Sequence, residues 1–275
     1  MKRQHATSTF LFITSLFYAV PALLAEEKNN PSAAAPAAPA SNEVADLEAA
    51  ATTAMDSDNS DRAIELLRQA AALTDPKRNE DEWARVQKNW LGRLMDLGKF
   101  DEFEAVAKQY ILAGEKAFGA NHPATVRLQA GLDQTMPMLR KFKEEEEPIR
   151  TQLATREREL GPKHPDTLAS RGRLAELLAV LGKRAEAEAL YTEVLKVLEQ
   201  EFGPEHKDTL KYHALFALVN IKWEKWAKAK EEGQRAFAGY QKTLGDEHQK
   251  TKDAKRLIEI INKNIAKKKP KNENG

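Results

Sequence analysis

Four histidines recur at one spacing in this sequence, and histidine is the side chain that most readily binds metal ions or exchanges protons near neutral pH. His122, His164, His206 and His248 lie 42 residues apart, each three residues after a glycine and three before a threonine. A shared metal ion needs its nitrogen ligands at about 2.1 Å, whereas equivalent positions of stacked helices lie about 8–10 Å apart. The spacing therefore favours separate loop histidines, each capping a helix or packing on its neighbour, over a common metal site.

Other residues with catalytic chemistry form no recognised constellation. The carboxylates of 144–147 suggest an acid/base pair or a calcium site, but a charge run just before Pro148 is more typical of a solvated helix face. The sequence has no phosphate-binding glycine loop, no His-Glu-x-x-His segment and no serine elbow. With no cysteine, it also lacks thiol chemistry, disulfides and a bacterial lipoprotein anchor. We therefore predict a protein without catalytic activity, metal or cofactor.

The composition indicates many exposed helices and a nearly neutral chain. Charged residues make up 31% and aromatic residues 7% of the 275 positions. Lys and Arg total 43 against 42 for Asp and Glu, which gives a net charge of +1. Because dedicated nucleic-acid binders carry a clear positive excess, this balance argues against nucleic acid as a partner.

An internal repeat of 42 residues organises the chain. Trp83 aligns with threonines of the other repeats, which leaves open whether it caps its hairpin or touches a partner. Besides the histidine loop, three columns keep the register: a lysine, the large apolar residue two before it, and an apolar residue earlier in the repeat. They are Lys99, Lys141, Lys183 and Lys225; Leu97, Leu139, Leu181 and Trp223; and Trp90, Leu132, Leu174 and Phe216.

Within one repeat the apolar spacing is helical. From 168 to 181, leucines at 174, 177, 178 and 181 follow the i, i+3, i+4, i+7 pattern of one helix face. Gly182 and Lys183 interrupt this pattern, a second one runs from Ala185 to Leu198, and Gly203 with the proline after it ends the second. Each repeat is therefore predicted to be a helix, a tight turn, a longer helix and a loop.

Three residues of the best repeat, Ala175, Ala187 and Tyr191, occupy small, small and aromatic positions. Together with the 42-residue period and the Gly-x-x-His-Pro-x-Thr loop, they make residues 40–266 resemble tetratricopeptide repeats of the kinesin-light-chain-like subfamily. The resemblance implies an all-α fold, an α-α superhelix (TPR solenoid) of about five helix hairpins plus a C-terminal capping helix. The implied units are 43–76, 80–117, 122–159, 164–201 and 206–243, with the cap at 249–266.

The unit at 122–159 departs from the pattern of the others. Pro137 falls late in its first helix and Pro148 early in its second. Proline removes a helix hydrogen bond and clashes with the preceding turn. We therefore expect a kink or a slipped hairpin in this unit.

The two ends of the chain differ from the repeats. Residues 1–25 contain Lys2 and Arg3 followed by an uncharged apolar run, typical of a secretory signal cleaved after Ala25; an uncleaved membrane anchor is the alternative. Residues 26–42 are predicted to be an Ala/Pro-rich linker, and residues 267–275 a basic disordered tail that either contacts an anionic surface or is only solubilising. We expect an exported bacterial protein, periplasmic or extracellular, with no stable membrane span unless the signal is retained.

In tetratricopeptide proteins the first helix of each hairpin lines a concave groove that holds a partner. The resemblance places nine positions on that face: Arg85, Lys88, Met95, Arg127, Gln134, Glu176, Lys211, Leu218 and Ile221. Their basic bias predicts an acidic extended peptide or a partner helix with an acidic face; ordinary surface positions are the alternative. The expected function is a non-catalytic protein–protein interaction scaffold in the exported space. The alternative function is a structural or regulatory subunit of a cell-envelope complex.

Overall fold

The computed structural model describes residues 42–57 and 59–268, and over these ranges the regular structure is entirely α-helical. This confirms the predicted all-α fold. The predicted signal, nearly all of the predicted linker and the tail beyond Lys268 lie outside the described residues. The helices are α1 (Asn42–Asp56), α2 (Ser60–Ala72), α3 (Glu80–Asp96), α4 (Phe100–Phe118), α5 (Pro123–Leu160), α6 (Pro165–Val180), α7 (Arg184–Phe202), α8 (Lys207–Lys222), α9 (Trp226–Leu244) and α10 (Gln249–Lys268).

The chain divides into two compact units, unit 1 up to Lys143 and unit 2 from Glu144 onward. Unit 1 contains the hairpins α1–α2 and α3–α4 and the beginning of α5. Unit 2 contains the end of α5, the hairpins α6–α7 and α8–α9, and α10, which packs on α9. None of the helices in the described ranges is both long enough and apolar enough to cross a membrane.

The hairpins of the repeat register turn on one residue in the left-handed conformation. Gly98 (φ 69°) and Gly182 (φ 72°) adopt it without the steric cost that a Cβ would add. At the same place in α8–α9, Glu224 adopts it with a φ of 57°. The backbone N–H of Lys183 then closes the turn by donating to the carbonyl of Leu178 at 2.9 Å, and the same bond recurs in the other two hairpins.

Small residues at the helix contacts let the hairpins of unit 2 close tightly. Without a long side chain between them, helix axes can approach to about 8 Å. Tyr191 of α7 is 1% exposed, and its ring stacks on Phe216 of α8 with the centroids 4.9 Å apart. The alanines of these contacts have no exposed surface; they are Ala175, Ala187, Ala217 and Ala229.

The repeated lysine column joins each hairpin to the helix before it. Lys183, at the start of α7, lies 2.6 Å from a carboxylate oxygen of Glu146 in α5. Lys225, at the start of α9, lies 2.9 Å from a carboxylate oxygen of Glu188 in α7. The equivalent lysine of α4 makes the same kind of pair with α2. Such partly exposed ion pairs contribute only about 0–1 kcal/mol each, so their main effect is to specify the register of neighbouring repeats.

The segment predicted as a hairpin at 122–159 is instead a single helix, α5, of 38 residues. A slipped hairpin, one of the two outcomes expected for this unit, is therefore not formed, and the described part of the chain has four closed hairpins rather than five. In unit 1, Arg140 of α5 lies 3.0 Å from Glu104 of α4. In unit 2, Arg150 of the same helix lies 2.5 Å from Glu186 of α7.

Charged residues at the positions that form the helix contact in the next repeat explain why this segment does not fold into a hairpin. Asp133 and Glu145 stand 42 residues before Ala175 and Ala187, the contact alanines of the next repeat. Closing the hairpin would bury the two carboxylates against each other, and an uncompensated buried charge costs roughly 3–5 kcal/mol. In α5 both keep access to solvent, and Glu145 lies 3.6 Å from Arg173.

Candidate binding groove

Three of the loop histidines cap the helices that follow them. The backbone N–H of Asp166 donates to Nδ1 of His164 at 3.2 Å, and the same bond recurs in the next two loops at 3.3 and 3.2 Å. These bonds satisfy one of the free N–H groups at each helix start. The prediction of capping histidines is confirmed for His164, His206 and His248.

The other residues considered for chemistry have structural roles. Glu146, in the acidic run, accepts hydrogen bonds from Arg150 and Lys183. Burial raises the pKa of this carboxyl, but those two partners outweigh it and leave the pKa lowered. Trp83 is 5% exposed and its ring centroid lies 4.3 Å from that of Tyr110, which makes it a core residue of the α3–α4 hairpin.

The predicted groove residues of unit 1 include several that are already engaged or buried. Arg85 of α3 pairs with Glu48 of α1, so its charge is compensated within the unit. Met95 is 6% exposed and belongs to the hairpin core. Lys88 is partly exposed on α3, while two exposed residues lie on α5: Arg127 and Gln134.

The predicted residues of unit 2 lie on its first helices. Leu218 and Ile221 of α8 are half-buried and pack against a cluster that includes Ala217 and α10 residue Ile261. Lys211 is exposed, with Nζ 5.4 Å from the centroid of the neighbouring tyrosine ring. These residues therefore combine an apolar strip with a positive charge at one end.

Helix α10 extends this surface, which the sequence reasoning missed because it treated 249–266 only as a cap. Arg256, Ile260 and Lys263 stand 42 residues after Ala214, Leu218 and Ile221 of α8. Ile260 is 45% exposed, a large value for an isoleucine. The 42-residue register was the signal that could have identified these positions. We call the surface formed by α6, α8 and α10 the unit 2 groove.

Glu176 is the one predicted groove residue with an unusual electrostatic environment. It is half-buried on α6 and forms no hydrogen bond or ion pair with any residue that the structure describes. Burial raises the pKa of its carboxyl to about 7, although Lys211 and Arg173 act in the opposite direction. A carboxylate held in this way attracts a hydrogen-bond donor or a positive charge.

A buried histidine away from this groove was not predicted. His213 is 3% exposed, with Nδ1 2.6 Å from Glu232 and Nε2 3.1 Å from Glu199. Arg171, 42 residues earlier, is 4% exposed and pairs with Glu157. These two buried contacts tie the first helices α6 and α8 to the helices before them, α5 and α7.

A cavity of about 320 Å³ lies beside His213, lined by residues of α7 and α9. Its two cations are already paired, Arg235 with Glu199 at 3.4 Å and Lys242 with Glu205. The cavity therefore presents a network of paired charges.

A comparison with protein families identifies the same repeat within unit 2. A family model of the tetratricopeptide repeat matches residues 171–242, which span most of α6 through α9. Among solved structures the chain is similar to BtubC (BKLC) of P. vanneervenii, at 13% identity over 82% of this chain and 85% of that one, with a TM-score of 0.44.

The chain is also similar to a putative kinesin light chain of Podosopora anserina with nearly identical TPR-like repeats, at 20% identity and a TM-score of 0.36. That likeness covers 73% of this chain and 96% of the other. No curated protein matches the chain. Residues 171–242, which match the tetratricopeptide repeat, are also the residues that form closed helix hairpins with buried alanines.

Proposed function

We propose that this protein is a non-catalytic scaffold that binds an extended segment or a helix of a partner protein in the unit 2 groove. The observation that carries the proposal is the apolar strip formed by Leu218 and Ile221 of α8, which pack against α10, with Ile260 of α10 at the register position of Leu218. Leu218 and Ile221 are half-buried there, and Ile260 is 45% exposed. Covering such a strip releases about 25 cal/mol per Å² of apolar surface, which favours association.

Charge around the strip supports a partner with acidic residues. Lys211 of α8 and Lys263 of α10 are exposed, and neither forms an ion pair within 4 Å of a described residue. Arg256 has only a loose contact of 3.8 Å with Asp253 of its own helix. Complementary charges at the rim of an interface speed association and set its orientation. The proposed partner segment therefore has apolar residues in its centre and acidic residues at its flanks.

The proposed site of action is the exported space, outside the cytoplasm. This part of the proposal rests on the composition of residues 1–25, with basic residues, an apolar run and a small residue at the expected cleavage position. It is tested by N-terminal sequencing of the protein from fractionated cells. A mature chain beginning at Glu26 in the exported fraction is the expected result, and a cytoplasmic chain that retains Met1 would refute it.

Binding in the groove is tested by affinity capture with three versions of the full chain. The first is the wild type, the second carries Leu218→Asp and Ile260→Asp, and the third carries Leu244→Asp. Leu244 is a matched control because it is 43% exposed but lies at the end of α9, a second helix. Circular dichroism first checks that all three fold alike.

A partner retained by the wild type and the control but lost by the double variant supports the groove. A partner retained by all three would place binding elsewhere and refute the proposal. A further variant, Lys211→Glu with Lys263→Glu, tests the charge preference. It is expected to weaken binding more at low salt than at high salt, because rim charges are screened over about 8 Å at physiological ionic strength.

A further inference from the structure

We propose that Glu176, with Tyr191 and Tyr212 beside it, is the position of the unit 2 groove that receives a basic side chain of the partner, a lysine or an arginine. This inference rests on the proposed function, since it assigns the chemistry of one position in the same groove. It adds a requirement that the basic bias of the surface does not suggest. The partner must carry a cation next to its apolar residues as well as acidic flanks.

The position of Glu176 is defined by how α6 and α8 pack. Gly172 lies one helical turn before Glu176 on the same face of α6. A Cβ added at Gly172 would lie 2.0 Å from the hydroxyl oxygen of Tyr212, so the tyrosine of α8 lies directly on the α6 backbone. The phenol of Tyr212 is thereby held beside the Glu176 carboxylate.

A second phenol contributes from α7. Tyr191 is 1% exposed, and its hydroxyl has no hydrogen-bond partner among the described residues. Burial first, and the nearby Glu176 carboxylate second, raise the pKa of both Tyr191 and Tyr212. A buried polar group normally has a partner, and leaving it without one costs about 1–3 kcal/mol in general. The cluster therefore contains a carboxylate and a buried hydroxyl without a partner in the same part of the hairpin.

The chemistry of this cluster favours a cation over an anion. An ammonium or guanidinium group bonds strongly to a carboxylate and is attracted to aromatic faces. An anionic group would meet a carboxylate and two phenolic oxygens. The two nearest cations of the protein form no ion pair with Glu176, because Arg173 lies 3.6 Å from Glu145 and the Lys211 Nζ lies 5.4 Å from the centroid of the Tyr212 ring.

Binding of a cation at this position is expected to depend on pH in one direction. The groups that act on Glu176 are Arg173 of its own helix, Tyr191 of α7, and Lys211 and Tyr212 of α8. A cation binds the ionised form of Glu176, whose pKa is about 7 in the free protein. Affinity should therefore rise as the pH is raised from 6 to 8. An anion that binds the protonated form would show the opposite dependence.

The test uses a phage library of random twelve-residue peptides, selected separately on the full-length wild type and on the Glu176→Gln variant. We expect the wild-type pool to share a lysine or arginine at one position next to apolar residues, and the variant pool to lack it. Selected peptides are then synthesised with lysine or with norleucine at that position. The lysine is expected to improve Kd about tenfold on the wild type and to change it little on Glu176→Gln.

Two failures are distinguishable in this design. If no peptide binds the wild type better than the Leu218→Asp, Ile260→Asp variant, the groove itself is not the site and both proposals fall. If peptides depend on Leu218 and Ile260 but share no cation, or bind more tightly at pH 6 than at pH 8, the groove stands and the Glu176 subsite is refuted.

Discussion

The helix α5 and the hairpin α6–α7 occupy the same register of the repeat, yet one is a single continuous helix and the other folds back on itself. The difference lies at the helix contact, where α6 and α7 place Ala175 and Ala187, both fully buried. The corresponding residues of α5 are Asp133 and Glu145. Two alanines allow close approach, whereas two carboxylates would have to lose their water and repel each other.

The turn residue is less decisive than the helix contact. Arg140 of α5 stands where α3–α4 and α6–α7 have their turn glycines. Its equivalent in α8–α9 is Glu224, also not a glycine, and that hairpin closes with a φ of 57° at this residue. The cost of the left-handed conformation, about 1–2 kcal/mol, does not prevent this hairpin from closing with Ala217 and Ala229 fully buried.

A carboxylate placed at the helix contact of the closed hairpin α6–α7 should destabilise that hairpin. Ala187→Glu places a carboxylate at a contact with no exposed surface. We expect the free energy of unfolding to fall by about 3–5 kcal/mol. Urea denaturation, monitored by circular dichroism, measures this loss. Ala185→Glu is the matched control, because Ala185 is exposed on the same helix and its change should stay within about 0.5 kcal/mol. Equal losses in the two variants would contradict the explanation.

The closed hairpin α6–α7 contains a half-buried carboxylate, that of Glu176. The free energy that its burial costs can be measured from the pH dependence of stability. The folded-state pKa of Glu176 is about 7, above the ordinary value of 4.5, so protonation stabilises the folded state. This stability is fully present below pH 4.5 and is lost as the pH rises through 7. Glu176→Gln should therefore be more stable than the wild type at pH 8, by about 1–3 kcal/mol, and equal to it near pH 4.

Urea denaturation at both pH values measures this difference. Glu147→Gln, at an exposed position of α5, is the control and should behave like the wild type at each pH. If the difference in free energy of unfolding between Glu176→Gln and the wild type were the same at pH 4 and pH 8, burial would not raise the pKa of this carboxyl.

The turn provides the smallest expected effect. Glu224→Gly should stabilise the protein by about 0.5–1 kcal/mol. Glycine removes the strain of a Cβ at φ 57°, but the greater conformational entropy of glycine in the unfolded chain offsets part of this stabilisation. Gly182→Ala, at the equivalent place with φ 72°, should destabilise it by about 1 kcal/mol. Thermal unfolding of both variants measures the pair. A loss in Glu224→Gly would show that the side chain of Glu224 matters more than its backbone.

Several features could be predicted from the sequence because they depend on local and periodic properties. The helix pairs follow from apolar spacing, and the capping role of His164 follows from its place between a turn glycine and a helix start. The prolines of the segment 122–159 did not predict that it forms a single helix. They drew attention to the right segment, but the residues that decide it, Asp133 and Glu145, matter only through a contact between two helices.

The candidate groove shows the same limit. Lys211, Leu218 and Ile221 were placed on the first helices of unit 2 by register alone. The register also reached Ile260, but its exposure on α10 depends on how that helix packs on α9. The compensation of Arg85 by Glu48 depends on two helices 37 residues apart in the chain, so no local pattern indicates it.

The amino-acid sequence was enough to predict a helical repeat, the places where most of its helices begin and end, and the faces that are apolar. Periodicity, glycine turns and capping residues act over one or two helical turns, so they can be recognised in the sequence. Three features depend on the packing of distant segments: α5 is one continuous helix, Glu176 lies half-buried beside Tyr191 and Tyr212, and His213 is held between two carboxylates. Those outcomes depend on desolvation and charge pairing between side chains brought together from different helices.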